Sequence, residues 1–201
     1  PLPPYIHRDA AAKENLTELD RKRYQTVFAK HAGAIAAPTA GLHFTSKLME
    51  SLDQGGINSA FLTLHVGVGT FQPIRSKDIR EHNMEAEQFH VPAATLKALL
   101  RARKMGQDII AVGSTSTRVL ESMDLDSILE RDFSGWTDRF IYPGQKLKTV
   151  DRLLTNFHLP KSTLYLLVCA FASKDLIEKA YREAIRHSYR FFSYGDAMLI
   201  L

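Results

Sequence analysis

The sequence predicts an α/β fold with a mainly parallel sheet, and three observations carry that prediction. Short apolar runs that read as strands alternate with stretches whose apolar residues recur at helical spacing. Four strand-like runs lead into turns of one unusual make-up, rich in glycine, proline, hydroxyl residues and histidine: APTAGLHFT (37–45), HVGVGTFQP (65–73), VGSTSTR (112–118) and TNFHLPKST (155–163). No internal repeat breaks the alternation. In a parallel sheet the carboxyl ends of the strands share one side, where ligands bind, so four such turns would meet there.

Taken in order, residues 10–31 are rich in helix formers, with Leu16, Leu19, Tyr24, Val27 and Phe28 able to line one face, until Gly33 stops the pattern. AIAA (34–37) reads as a short buried strand. Thr45 or Ser46 can cap a helix through KLMESLDQ that ends at Gly55-Gly56. SAFLTLHV (59–66) is the next strand, followed by a long loop from Gly67 to Pro92. Pro92 and Ala93 open a helix with Leu96, Leu99, Leu100 and Ala102 inward and Lys97, Arg101, Arg103 and Lys104 outward; Gly106 ends it. DIIAVG (108–113) is a strand leading into a helix through RVLESM. Residues 124–136 read as irregular, and RFIYPG (139–144) as a strand. VDRLLTNF (150–157) is a strand, two helices cover 161–172 and 174–188, and DAMLIL closes the pattern. That makes about five or six strands, fewer than the eight of a standard barrel.

The composition suits one α/β domain over 1–201: 45% hydrophobic and 24% charged in 201 residues. The net charge of +4 fits an ordinary solvated surface or a polyanionic partner such as RNA. The single cysteine, Cys169, lies in the apolar run LYLLVCAF and reads as a small buried hydrophobe; an intrachain disulfide is excluded, which fits a reducing cytoplasm. No apolar run reaches the length of a membrane span.

The turns carry the chemistry. His43, His65 and His158 stand at like positions, each at or beyond the end of a strand-like run; one histidine alone suits a structural role, but three together favour a site. Thr39 and Gly41 belong to the first turn. Gly67 and Gly69 lack the third glycine of a dinucleotide fingerprint, but with Thr70 and Phe71 they would let a flat ring approach the backbone and stack. Ser114, Thr115 and Ser116 at a helix start, with Arg118 as a bidentate clamp, suit a carboxylate or phosphate, and Glu121 can pair with Arg118. The loop EHNMEAE (81–87) lacks the helical spacing of a metal site; it reads as an exposed acidic loop or as acids that meet a cationic substrate. Asn156 lies in the fourth turn. In YRFFSYGDAM (189–198), aromatics beside arginine suit base stacking or ordinary core, and Asp196, opening an apolar strand, would be a base with a raised pKa.

These strings, with PLPPYI, RYQTVFA, LTLHVGVGTFQPI, IYPG, LLTNFHLPKSTL and YRFFSYGDAMLI, closely resemble the S-adenosylmethionine:tRNA ribosyltransferase-isomerases of queuosine biosynthesis over nearly the whole chain. The resemblance implies transfer and isomerisation of the ribosyl part of S-adenosylmethionine onto 7-aminomethyl-7-deazaguanine (preQ1) at the tRNA wobble position. Epoxyqueuosine-tRNA, adenine and methionine would be the products. It implies no cofactor beyond S-adenosylmethionine consumed as substrate, no metal, a cytoplasmic monomer, and a barrel-like α/β domain. It makes His43, His65, His158 and Asp196 candidate proton carriers. Thr39, Gly41, Gly67, Gly69, Thr70, Phe71, Glu87, Ser114, Thr115, Ser116, Arg118, Asn156 and Tyr194 become candidate substrate contacts. Two departures from the family stand out. Glu85 occupies a position where the family commonly has histidine, and the family's N-terminal part, including a small β-barrel domain, has no counterpart here. The chain therefore reads as a C-terminal portion. The rival readings are a tRNA-binding fragment without chemistry and a metal-dependent α/β-barrel hydrolase using His43, His65, His82 and His158.

Overall fold

The structure is a computed structural model that describes residues 2, 6, 13–67, 74 and 78–201, with side chains of 13–17 left aside. Helix α1 (Lys13–Arg23) is followed by a 3-10 turn at Thr39–His43, helix α2 (Ser46–Gln54) and strand β1 (Thr63–Leu64). Strand β2 (Glu87–Val91), helix α3 (Ala93–Lys104), strand β3 (Ile110–Val112) and helix α4 (Ser114–Ser122) come next. Strands β4 (Phe133–Thr137) and β5 (Arg152–Asn156), helices α5 (Thr163–Ala172) and α6 (Lys174–Arg186), and strand β6 (Ala197–Ile200) complete the order.

The helices form where the pattern and the caps agree. The Thr45 hydroxyl accepts the Leu48 N–H at 3.1 Å to start α2, and the Ser162 hydroxyl accepts the Tyr165 N–H at 3.1 Å to start α5. In α3, Leu96 and Leu99 are buried, as the spacing predicts. Helix α1 stops at Arg23, short of the predicted span, and of its proposed apolar face Tyr24 is buried while Leu19 and Val27 are exposed.

The sheet is where sequence and structure part. The described strands form two small sheets, ordered β1-β2-β4 and β3-β5-β6. β1 with β2, β2 with β4 and β5 with β6 are antiparallel, and only β3 with β5 is parallel. The mainly parallel expectation is thus corrected to a mixed α/β arrangement. The reason lies in the connections: β2 sits among acidic and polar residues whose pattern suits a loop, yet it pairs with β4, whose own pattern is irregular. Phe89 and Val91 point into the core from one side of β2 while Gln88 faces out, an alternation that suits an antiparallel sheet with one solvated face. AIAA and RFIYPG are not strands; Ile35 only donates its N–H to the Val66 carbonyl at 3.1 Å beside the end of β1.

Helix α4 unites the two sheets, touching β3 and β5 on one side and β1 and β4 on the other. One continuous apolar core results, running from Phe89, Val91 and Leu96 through Val119, Leu153 and Val168 to Ile177 and Ile200. Cys169 is buried within it, and burial raises its thiol pKa. No described helix is long and apolar enough to cross a membrane.

Candidate functional site

At the carboxyl ends of the parallel pair β3 and β5, several turns close around a pocket of about 100 Å³. Its walls are Ala37–Ala40 from the first turn, Val66 from the second, Gly113–Thr115 from the third, and Thr155–Leu159 with Ser162 from the fourth. Leu164, Phe192 and Ser193 complete it. All four motifs reach one place, although only one strand pair beneath them is parallel.

Local structure explains the approach. Gly113 is the N-cap of α4 with φ 89°, a conformation that favours glycine, and no side chain caps the helix. The first-turn N–H groups of α4 have no intrahelical acceptors, and Ser114 and Thr115 of that turn line the pocket. Two non-glycine residues at the rim hold left-handed backbone: Phe192 (φ 70°), in the wall, and Lys161 (φ 61°), beside Ser162. Such conformations cost about 1–3 kcal/mol and persist only where surrounding structure enforces them. At Phe192 the enforcement is visible: its N–H bonds the Phe157 carbonyl at 3.1 Å, and its own carbonyl accepts the Gly195 N–H at 3.0 Å.

Of the expected site residues, Thr39, Ser114, Thr115, Asn156 and His158 line the pocket. The His158 Nε2 lies 2.8 Å from the Thr155 hydroxyl, and its backbone N–H is held at 2.9 Å by the Tyr181 hydroxyl. Burial pushes its pKa down to about 4, so the imidazole is neutral at physiological pH. His43 stands behind Asn156, its Nε2 3.0 Å from the Asn156 amide nitrogen. Burial also lowers the His43 pKa, against the pull of Asp196 and with the push of Arg190. His65 does not line the pocket; its ring packs on Gly33, where a Cβ would lie 2.8 Å from Nδ1, and that nitrogen is buried without a partner.

Other expectations change. Arg118 is 2% exposed, so it clamps no external anion; it forms a buried ion pair with Glu87, itself 3% exposed, and donates to the Arg139 and Thr137 carbonyls. Glu87 is accordingly a buried partner rather than an acid facing a cationic substrate, and its other oxygen accepts the Gly67 N–H at 2.9 Å. The pair ties β2, α4 and the start of the glycine turn together. Glu121 does not pair with Arg118 but accepts the backbone N–H groups of Lys148, Thr149 and Val150 at 2.8–2.9 Å. Asp196 is not a base with raised pKa: hydrogen bonds from Arg190 lower it, and the two form a salt bridge at 3.0 Å. Tyr194 bonds Asp20 of α1 at 3.1 Å and meets Tyr24 edge-on instead of lining the pocket. Gly41 is required for packing, since a Cβ would lie 2.8 Å from Thr26 and Phe28. Ser116 lies one residue beyond the lining. Gly69, Thr70 and Phe71 lie outside the described residues.

Thr155, Phe192 and Ser193 were not among the expected site residues. The signal for the last two was present as an aromatic run ending in Gly195, a glycine that has no room for a side chain. Among the described residues, His43, His65, His82 and His158 do not gather into a group of three or more metal-ligating side chains; His82 instead packs edge-on against Phe140.

Comparison with known proteins places this arrangement. The S-adenosylmethionine:tRNA ribosyltransferase-isomerase of Halothermothrix orenii is 50% identical over the full chain, and that of Natranaerobius thermophilus is 55% identical. The chain spans 57% and 56% of these relatives, about half their length. The crystal structure of an S-adenosylmethionine tRNA ribosyltransferase from Thermotoga maritima aligns with a TM-score of 0.67 and 48% identity, over 81% of this chain and 51% of that one. The model of the family described as queuosine biosynthesis protein matches residues 1–200, and the chain belongs to that family.

Proposed function

We propose that the chain forms the substrate pocket of an enzyme that transfers and isomerises the ribosyl part of S-adenosylmethionine onto preQ1 in tRNA. One observation carries this reading: the four motif turns and the Phe192–Ser193 segment, far apart in sequence, surround one pocket at the ends of β3 and β5. Strained backbone at Phe192 and Lys161 supports it, because such strain collects at working sites. The names of the relatives supply the substrate pair.

The reaction needs a base to take a proton beside the sulfonium and an acid to protonate departing adenine. His158 is a neutral imidazole at the pocket wall, and its burial makes it a weak base, so in this role it relays a proton rather than holding one. Asp196, kept ionised by Arg190 and close enough to His43 to influence it, is suited to balance positive charge. Adenine release from S-adenosylmethionine with preQ1-bearing tRNA tests the reading, on this chain and on one extended to the length of its relatives. In whichever chain is active, His158→Gln should slow release by about 100-fold or more, the usual weight of a general acid or base. Normal turnover in that variant and in His43→Gln alike would remove histidine from the proton transfer. A second reading is tRNA binding without chemistry, for which the net charge of +4 leaves room. Tight tRNA binding with no S-adenosylmethionine binding, by calorimetry, would select it.

A further inference from the structure

We infer that the pocket receives the adenine base of S-adenosylmethionine, that Asn156 reads its polar edge, and that His43 is the positioning residue that aims the Asn156 amide. The inference rests on the proposed use of S-adenosylmethionine and assigns one part of that substrate to one part of the site.

Three features of the pocket select a neutral flat base over the amino-acid end. First, among the described residues its lining contains no Asp, Glu, Lys or Arg, and the imidazole of His158 is uncharged. A methionine end, with ammonium and carboxylate, would leave two charges desolvated and unpaired there. Second, about 100 Å³ is small beside the roughly 300–1,000 Å³ of pockets that hold whole drug-sized ligands, so only a compact part of the substrate enters. Third, Ala37, Pro38, Ala40, Val66, Phe157 and Phe192 give apolar walls, which suit the faces of a ring.

The polar groups are arranged for an edge. Asn156 is 2% exposed, lines the pocket, and spends one end of its amide on His43 at 3.0 Å. The other end, Oδ1, is buried without a partner. A buried unpaired amide atom costs about 1–3 kcal/mol, a cost a ligand atom can remove. Adenine offers an N6 amine as donor and ring nitrogens as acceptors, so it satisfies this amide in either orientation. The uncapped first turn of α4, at Ser114 and Thr115 in the same lining, adds backbone donors for ring nitrogens. His43 does not line the pocket and touches Asn156 from behind, which separates aiming from reading.

The test is competition calorimetry on this chain with S-adenosylmethionine, adenine, methionine, and purine, which lacks the N6 amine. Adenine should displace S-adenosylmethionine, methionine should not, and purine should bind about tenfold more weakly than adenine, the loss of one good hydrogen bond. These arms need no variant. Asn156→Ala should abolish the adenine preference over purine. His43→Ala should reduce that preference, and His43→Gln, which can still bond the amide, should restore most of it. A chain that binds neither S-adenosylmethionine nor adenine, competition by methionine equal to that by adenine, or an unchanged adenine-to-purine ratio in Asn156→Ala overturns the inference. The function is judged separately: adenine-selective binding with no adenine release from the extended chain would leave the pocket assignment standing and remove the reaction. Release with unaltered KM in Asn156→Ala would do the reverse.

Discussion

At the scale of single residues, burial decides which histidine does what. His158 has a folded-state pKa of about 4 against an ordinary 6.5, so the native state resists protonation. Between those values the unfolded chain binds a proton that the native chain does not, and stability must fall as pH drops through that window. Above pH 6.5 the group contributes no slope. The full loss is at most about 3–4 kcal/mol, from roughly 1.4 kcal/mol per pH unit. Urea unfolding measured between pH 7 and 4 should show this decline, and His158→Asn should flatten it; an unchanged slope in that variant would move the titrating group elsewhere. Arg118 shows the same principle in reverse. An arginine after a hydroxyl-rich turn reads as an anion clamp, yet its charge is consumed by Glu87 inside the protein. Nothing in residue types alone distinguishes these outcomes, because the partner lies 31 positions away in β2.

At the scale of elements, the 190–196 segment is the most tightly specified. A Cβ on Gly195 would fall 2.5 Å from the Arg190 carbonyl oxygen and the Phe191 carbonyl carbon. Gly195→Ala should therefore destabilise the chain by about 1–3 kcal/mol, the range for overpacking, and should weaken S-adenosylmethionine binding because Phe192 and Ser193 move with it. Calorimetry and chemical denaturation of that variant check both. The helices α2 to α6 were legible in the sequence because apolar spacing, with hydroxyl caps at α2, α5 and α6, is a local signal. The same is true of β3, β5 and β6, whose apolar runs are bounded by turns. β2 and β4 were not legible: their residues are mixed in polarity, and they become strands only by pairing with each other across α3, β3 and α4, with Val91 opposite Phe133 and Glu87 opposite Thr137. The meeting of the four motif turns was legible from their shared composition. Which side chains face the pocket and which stand behind it was not, since that depends on the rotation of each turn.

At the scale of the whole molecule, the sheet β3-β5-β6 leaves β6 paired on one side only among the described strands. Leu199 on that strand is 50% exposed, and Leu201 beyond it is exposed as well. A bare edge with apolar side chains invites pairing between chains. Light scattering should show association of this chain that rises with concentration, and Leu199→Lys should reduce it; equal association in the variant would place the sticky surface elsewhere.

The hydrogen bond from Tyr194 to Asp20 joins residues 174 positions apart. Phe192 and Ser193, which wall the pocket, sit beside it in the chain and bring the site's last side. During synthesis the first three motif turns emerge from the ribosome well before this segment. Until Phe192 and Ser193 follow, the cleft lacks that wall. The pocket's last wall is therefore set by a contact of long sequence span, which makes its closure slow to nucleate in refolding.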